Sequence, residues 1–346
     1  MTLPNASLQQ GTWFKLICGA SFHHLPSVRE LAFLYTLAGA DCIDVAADPA
    51  VVRAAQQGIR WAQAENPQVG SPWVMVSVND GEDVHFRKAV LTDPLCPADC
   101  PQPCVAVCPP HALTPLATSG TVHIQAELCY GCGRCEPVCP HRRIATPNHQ
   151  VPLPQVLPSL IGLGIQAVEI HTRIGRQTEF EHLWGSLKPW LHRLQALSIS
   201  FNDGPELETY LRDLLALMAP LPELLIWQVD GRPMSGDIGS GAGAGTSRAT
   251  LKLAQKVLNM GLPGYIQLAG GTNAQTVPLL DPRWPVAGVA FGSYARQLVA
   301  ACLEGQISSG QNLAAGIPLA KQLVAQVKQR PVMMAPGVRQ TSFSYV

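Results

Sequence analysis

The stretch Phe14-Lys-Leu-Ile-Cys-Gly19, followed by Pro26-Ser-Val-Arg-Glu-Leu-Ala-Phe-Leu-Tyr-Thr-Leu37 and then by Cys42-Ile-Asp-Val-Ala46, decides the fold class. An apolar run of strand length gives way to an amphipathic run of helical length, and then to a second apolar run. Pro26 stands in the first helical turn, where a missing N–H costs nothing, and Pro49 opens the next helix in the same way. The succession recurs along the chain. Strands are expected over Phe14–Gly19, Cys42–Ala46, Trp73–Val78, Ala167–His171, Leu197–Phe201, Leu224–Val229, Tyr265–Leu268 and Gly288–Phe291. Helices are expected over Ser27–Leu37, Ala50–Gln63, Glu179–Arg193, Glu206–Met218 and Ser247–Asn259. Helices between strands imply parallel βα units. Eight strands suit an α/β fold of the (β/α)8 barrel kind. A doubly wound open sheet is the alternative, because a strand count does not close a sheet.

The register is interrupted once. After the third strand, where a crossover helix belongs, a cysteine-rich block runs from about Val84 to about Pro147, and Pro152, Pro154 and Pro158 lead back into helix and strand four. The chain therefore divides into residues 11–83 (barrel strands one to three), 84–147 (an inserted α+β ferredoxin-like module), 148–304 (strands four to eight) and 305–346. The last part carries a helix over about Gln311–Gln329 and a tail.

Eight of the eleven cysteines lie in this insertion. The run Cys129-Tyr-Gly-Cys132-Gly-Arg-Cys135-Glu-Pro-Val-Cys139-Pro140 has the C-x2-C-x2-C-x3-C-P spacing that holds iron–sulfur clusters in bacterial ferredoxins. The run Cys96-x3-Cys100-x3-Cys104-x3-Cys108-Pro109 is a stretched version of it, padded by Pro97, Pro101 and Pro103. CPPHAL at Cys108–Leu113 parallels CPHRRI at Cys139–Ile144, and Thr121–Ile124 reads as a short strand between them. In two-cluster ferredoxins the fourth cysteine of each run serves the other cluster. That pattern assigns Cys108, Cys129, Cys132 and Cys135 to one cluster, and Cys96, Cys100, Cys104 and Cys139 to the other. Two [4Fe–4S] clusters are expected, with [3Fe–4S] open for the stretched run. Structural zinc is the competing occupant, but two runs that both end in Cys-Pro favour clusters. Cys18, Cys42 and Cys302 sit in apolar contexts and read as ordinary buried thiols. Arg134, His141, Arg142 and Arg143 crowd the second run, either raising a cluster potential or forming a solvated basic edge that docks an electron carrier.

Composition narrows the partners. Of 346 residues 47% are apolar and only 14% charged, and 24 Lys plus Arg balance 24 Asp plus Glu, so no basic excess points to nucleic acid or an anionic membrane. No run of about 18 apolar residues is long enough to span a bilayer. Residues 1–15 show no charged segment followed by an apolar core, so no export signal is read, and thiol ligands in a reducing cytoplasm are the expectation.

Function in a (β/α)8 barrel belongs at the C-terminal strand ends. Gly270-Gly271 after strand seven and Gly292-Ser293 after strand eight could bring backbone N–H groups and helix N-termini to a phosphate, or could simply be tight turns. The long Gly-rich loop after strand six carries Asp230, Arg232 and Asp237, a candidate ligand loop. FMN would suit such a site. However, Lys188, Lys252 and Lys256 lie on predicted helices, no strand end after the insertion carries a lysine, and only Arg173 or Arg232 could substitute. Ser21, His23, His24, Asp44, Asn79, Asp80, Glu169, His171, Asn202 and Asp203 are acid–base candidates that equally suit turns and helix caps.

Leu16-Ile-Cys-Gly-Ala-Ser21, Ala38-Gly-Ala-Asp-Cys-Ile-Asp-Val-Ala46, the inserted cysteine block and Val229-Asp-Gly-Arg-Pro-Met-Ser-Gly-Asp237 resemble the cyanobacterial light-dependent period protein A family over nearly the full chain. The resemblance implies a cytoplasmic iron–sulfur protein that reports cellular redox state to clock-complex proteins, a sensor more than an enzyme. The alternative is an iron–sulfur oxidoreductase passing electrons to a flavin or a phosphate-bearing substrate at the barrel mouth. A plain electron carrier would not need so large a barrel.

Overall fold

The computed structural model describes residues 4–93, 96–97, 99–116, 121–231, 244–303 and 313–333. In chain order the elements are α1 (Pro4–Gln10), β1 (Trp13–Gly19), α2 (Leu25–Ala38), β2 (Cys42–Ala46), α3 (Pro49–Glu65) and β3 (Trp73–Asn79). The insertion follows with β4 (Val90–Leu91), α4 (Pro103–Ala106), β5 (Leu113–Pro115), β6 (Val122–Ile124), α5 (Cys135–Val138) and β7 (Ile144–Ala145). The chain then resumes with α6 (Leu153–Gly162), β8 (Ala167–His171), α7 (Gln177–Leu187), β9 (Ala196–Phe201), α8 (Leu207–Leu217), β10 (Leu225–Asp230), α9 (Ala244–Met260), β11 (Tyr265–Ala269), α10 (Thr276–Leu279), β12 (Val286–Phe291), α11 (Ser293–Val299) and α12 (Gly316–Lys328).

Eight parallel strands close in the order β1-β12-β11-β10-β9-β8-β3-β2, with β2 returning to β1. The closed sheet selects the barrel over the open alternative. All eight expected strands form, within two residues of their expected ends. Local chemistry explains the helix starts. Asp48 caps α3 by accepting from the N–H groups of Ala50 (2.7 Å) and Val51 (3.2 Å), and Gly39 ends α2 in the left-handed region at φ 92°. The helix expected over Glu179–Arg193 stops at Leu187 and continues as a 3-10 turn over Lys188–Arg193, because Pro189 has no N–H to donate to the helix ladder. Helix α1 was not foreseen. It is too short for a periodicity argument, and it plugs the lower barrel end with Leu8.

Strand alternation sorts the barrel interior into layers. Phe14, Leu16 and Cys18 face the helices, whereas Trp13 joins Met75, Ile226 and Tyr265 in a lower apolar layer. Above it lies a buried polar layer. The Trp13 indole donates to Gln267 (2.6 Å), Gln267 to Gln228 (2.5 Å) and Gln228 to Glu169 (2.7 Å), and Lys15 binds the same carboxylate at 2.5 Å. Such a network is tolerable in a core because each member has a partner.

The insertion leaves the C-terminal end of β3 and therefore sits at the barrel face where strand ends meet. Two short antiparallel pairs, β4 with β7 and β5 with β6, frame it. Asn79 clamps its base: the side-chain amide donates to Gly81 O (2.6 Å) and accepts from Val151 N (3.2 Å), so the outgoing and returning chains meet at one residue. Its apolar residues, including Ala112, Leu113, Val122 and Leu128, join the core cluster of the barrel rather than forming a core of their own.

Candidate functional site

The cysteines fall into two groups. Burial, and then the neighbouring thiols of Cys132, Cys129 and Cys108, push the Cys135 thiol up to about 12. Four sulfurs thus crowd one point, where ionising them together is unfavourable without a cation to replace their protons. Cys96, Cys100, Cys104 and Cys139 line a second, apolar cavity, and Cys104 is raised by burial and then by Cys139 and Cys96. Backbone N–H groups reach both groups: Ala89 N donates to Cys129 Sγ (3.4 Å) and Arg143 N to Cys139 Sγ (3.3 Å). Sulfurs held this way, in fours, are a donor set for a polynuclear iron centre. Two of the basic residues of the second run border the other group: His141 and Arg143 line the Cys96–Cys139 cavity, and Arg143 is paired with Asp93 at 3.0 Å. Cys18 is fully buried and pushed up to about 12 by that burial, an inert thiol.

A cavity of about 70 Å³ opens at the C-terminal end of the barrel. One wall is Gly270, Gly271, Gly292, Ser293 and Arg296; a second, acidic wall is His85, Glu169, His171 and Asp230. Gly270 and Gly271 are both left-handed, at φ 60° and 83°, which brings their backbone to the cavity without side chains between. The helices after these loops, α10 and α11, have only four and seven residues, so the positive field on this wall comes from Arg296 more than from helix dipoles.

The roof of the cavity is Tyr130, the residue between Cys129 and Gly131. Its ring is buried, and the Arg296 guanidinium lies 4.5 Å from its centre, in cation–π contact. Arg296 also donates to Ile17 O (2.9 Å) at the end of β1. One side chain therefore belongs both to the cysteine loop and to the barrel mouth. Gly131 seats the loop: at φ 74°, a Cβ there would lie 2.2 Å from Arg87 O.

Below the cavity Lys15 Nζ lies 2.5 Å from Glu169 and 3.1 Å from Asp44. Burial pulls its pKa down, but Asp44 and Glu169 outweigh burial and hold the ammonium well above its ordinary range. Glu169, opposed by burial but faced by Lys15 and His171, is held well below the usual carboxylate range. Asp44 goes the other way: burial pushes it up to about 6 against the pull of Lys15. Burial opposes charge on His85 too, yet Asp83, ahead of Asp230, pushes it up to about 9.

The sequence candidates separate cleanly. Gly270, Gly271, Gly292, Ser293, Asp230, Glu169 and His171 meet at the cavity, and Asp44 lies just beneath it. Arg232 and Asp237 lie outside the described residues. Arg173 reaches Asp83 at 3.9 Å and does not line the cavity. His24 caps α2, His23 bonds Ser21 O, Asp80 accepts from the Thr172 hydroxyl, Asn202 donates to Asp230 O and Asp203 pairs with Lys256. Those five serve local structure. Lys15, Asp83, His85 and Tyr130 were not singled out. Lys15 was legible, as a lysine at an inward position of an apolar strand. Asp83-Val-His85 was legible as a polar pair directly after β3.

Residues 96–150 match the LdpA Fe-S cluster-binding domain, and residues 159–340 match the Light dependent period A C-terminal domain. The protein named Light dependent period A in Synechococcus elongatus is 50% identical over 311 residues, covering 88% of this chain and 85% of that one. Among solved structures, the apo homocysteine methyltransferase MmuM of Escherichia coli is 16% identical with a TM-score of 0.44, over 91% of this chain and 96% of its own. Tryptophan synthase of M. tuberculosis, in its aminoacrylate-bound form, is 12% identical with a TM-score of 0.42, over 93% and 95%. Fold and match together define an iron–sulfur-binding protein built on a (β/α)8 barrel. The chain belongs to the Light dependent period A family. Among the described residues no helix is long and apolar enough to cross a membrane.

Proposed function

We propose that this chain is a redox sensor of the light-dependent clock input, with Cys108, Cys129, Cys132 and Cys135 holding one [4Fe–4S] cluster and Cys96, Cys100, Cys104 and Cys139 a second cluster, [4Fe–4S] or [3Fe–4S]. When bound, such clusters accept and release single electrons. The observation that carries the reading is Tyr130, which sits in the cysteine loop and roofs the barrel cavity under Arg296. A change in charge or packing at the Cys129 loop moves Tyr130, and through Arg296 it reaches Ile17 and Ser293 at the barrel rim. The barrel thus turns a local electronic event into a change of surface that a protein partner can read. By kinship those partners are proteins of the clock complex, met in the cytoplasm.

Anaerobic purification with iron and acid-labile sulfide analysis, and EPR of the reduced and oxidised protein, tests the ligand assignment. About eight iron per chain is expected for two full clusters. Cys132→Ser should remove the signal of one cluster and Cys100→Ser that of the other. Stoichiometric zinc without sulfide would end the proposal.

One observation favours a second reading, an oxidoreductase. His85, His171, Glu169 and Asp230 at the cavity are more acid–base capacity than a display surface requires. Turnover with an electron donor, or a second chromophore such as FMN, would select that reading.

A further inference from the structure

The acidic wall of the barrel cavity holds a convergence that neither the clusters nor the sensor reading uses. Asp83, His85 and His171 each offer one donor atom, and all three atoms lie within 4.8 Å of one another. Asp83 Oδ1 is 2.7 Å from His85 Nδ1 and 3.8 Å from His171 Nδ1. Those distances bracket the roughly 3.3 Å between donors on one tetrahedral ion with bonds of about 2.0–2.1 Å.

The outer nitrogens are equally informative. His171 Nε2 lies 3.2 Å from Glu169 Oε1, and His85 Nε2 lies 3.7 Å from Asp230 Oδ2. Each imidazole thus has a carboxylate behind it and turns its other nitrogen towards Asp83. His171 keeps Nε2 at 3.2 Å from Glu169 and turns Nδ1 to Asp83 Oδ1 at 3.8 Å, a separation that leaves room for an ion bound to both donor atoms. A carboxylate behind each ligating imidazole is the usual outer shell of a histidine-ligated metal. Packing holds the rings in place, with His85 and His171 centred 5.1 Å apart and Phe86 edge-on to His171. Charge points the same way. Asp83, Glu169 and Asp230 are all buried here, and among the described residues the permanent cations within 4 Å of them are Lys15 on Glu169 and Arg173 at 3.9 Å from Asp83.

We propose that Asp83, His85 and His171 form a mononuclear site for a divalent first-row transition metal, with its remaining positions open to the barrel cavity. Two histidines and one carboxylate suit zinc and ferrous iron and exclude neither on geometry. The metal displaces the proton now shared between His85 Nδ1 and Asp83, which leaves to solvent, and no electron moves. An ion here also reconciles the two walls of the cavity: a bare anion held by Gly270, Gly271 and Arg296 would face Glu169 and Asp230, whereas an anion bound to a metal would not.

Zinc is the probe, because it outcompetes ferrous iron at such a donor set. The holoprotein, purified anaerobically with its iron content recorded, is dialysed against Zn²⁺ and examined by zinc K-edge X-ray absorption. The expected result is one zinc per chain with a nitrogen and oxygen shell that shows imidazole scattering. His85→Gln and His171→Gln should each weaken binding more than tenfold while iron content stays unchanged. No zinc uptake would overturn the proposal. So would a sulfur shell, which would place zinc on the cysteines, or binding that survives both substitutions. The wild-type spectrum decides the question even if a variant folds poorly.

Discussion

Lys15 is a fully buried ammonium that two carboxylates share, and its removal is the sharpest test of the barrel's polar layer. Lys15→Met keeps the length and apolar stem but leaves Asp44 and Glu169 without the ammonium they share. Breaking a buried pair from one side typically costs about 3–5 kcal/mol. Chemical denaturation should show a loss of that order, and a loss below about 1 kcal/mol would mean the layer is solvated. Asp44 adds a signed pH dependence. Burial pushes its carboxyl up to about 6 from an ordinary 3.8, so the fold binds this proton more tightly than the unfolded chain does. The stabilisation from protonation is complete below pH 3.8 and is lost as pH rises through about 6. Relative to Asp44→Asn, which cannot ionise, the wild type should lose about 1–2 kcal/mol between about pH 5 and 7.5 in urea titrations. Parallel profiles would contradict the shift. At this scale the sequence was only half legible. Glycine pairs and strand-end carboxylates announce themselves by position, whereas the role of Tyr130 depends on a loop folding back over the barrel, which no spacing encodes.

At the scale of elements, close backbone approach outweighs local propensity. Gly58 lies in the middle of α3, where alanine ordinarily gains about 1 kcal/mol. Here a Cβ would stand 2.1 Å from Arg29 O on α2. Gly58→Ala should therefore destabilise, by about 1–3 kcal/mol net, as overpacked sites do. A gain in stability would mean that α2 and α3 pack less tightly than described. Gly131→Ala acts on the cysteine loop by the same logic, adding the cost of a left-handed residue, about 1–2 kcal/mol. Iron release to a chelator should be several-fold faster than in the wild type, with the far-UV circular dichroism of the barrel unchanged; an unchanged release rate would mean Gly131 does not seat the loop. Strand and helix positions were readable because each element carries its own period and its own caps. The break at Pro189 was missed by the expected helix over Glu179–Arg193, although a residue that cannot donate to a helix marks it. Helix α1 was not, since seven residues carry too little pattern to stand out.

At the scale of the molecule, the insertion and the barrel act as one body. They share a core, Asn79 ties the base of the insertion, and Tyr130 carries the cysteine loop into the barrel cavity. That β3 is followed by a cysteine block where a crossover helix is expected was legible, because the block interrupts the strand–helix succession. Its attachment was not, because the contacts join residues more than a hundred positions apart, such as Tyr130 and Arg296. The central claim is that the redox state at the Cys108–Cys135 group is felt at the barrel mouth. Hydrogen exchange measured by mass spectrometry on the fully oxidised and fully reduced holoprotein tests it most directly. Exchange over residues 269–273 and 292–296 should differ between the two states by several-fold, and Tyr130→Ala should abolish the difference while iron content holds. Identical exchange at the barrel mouth in both states, with the clusters intact and titrating, would contradict it.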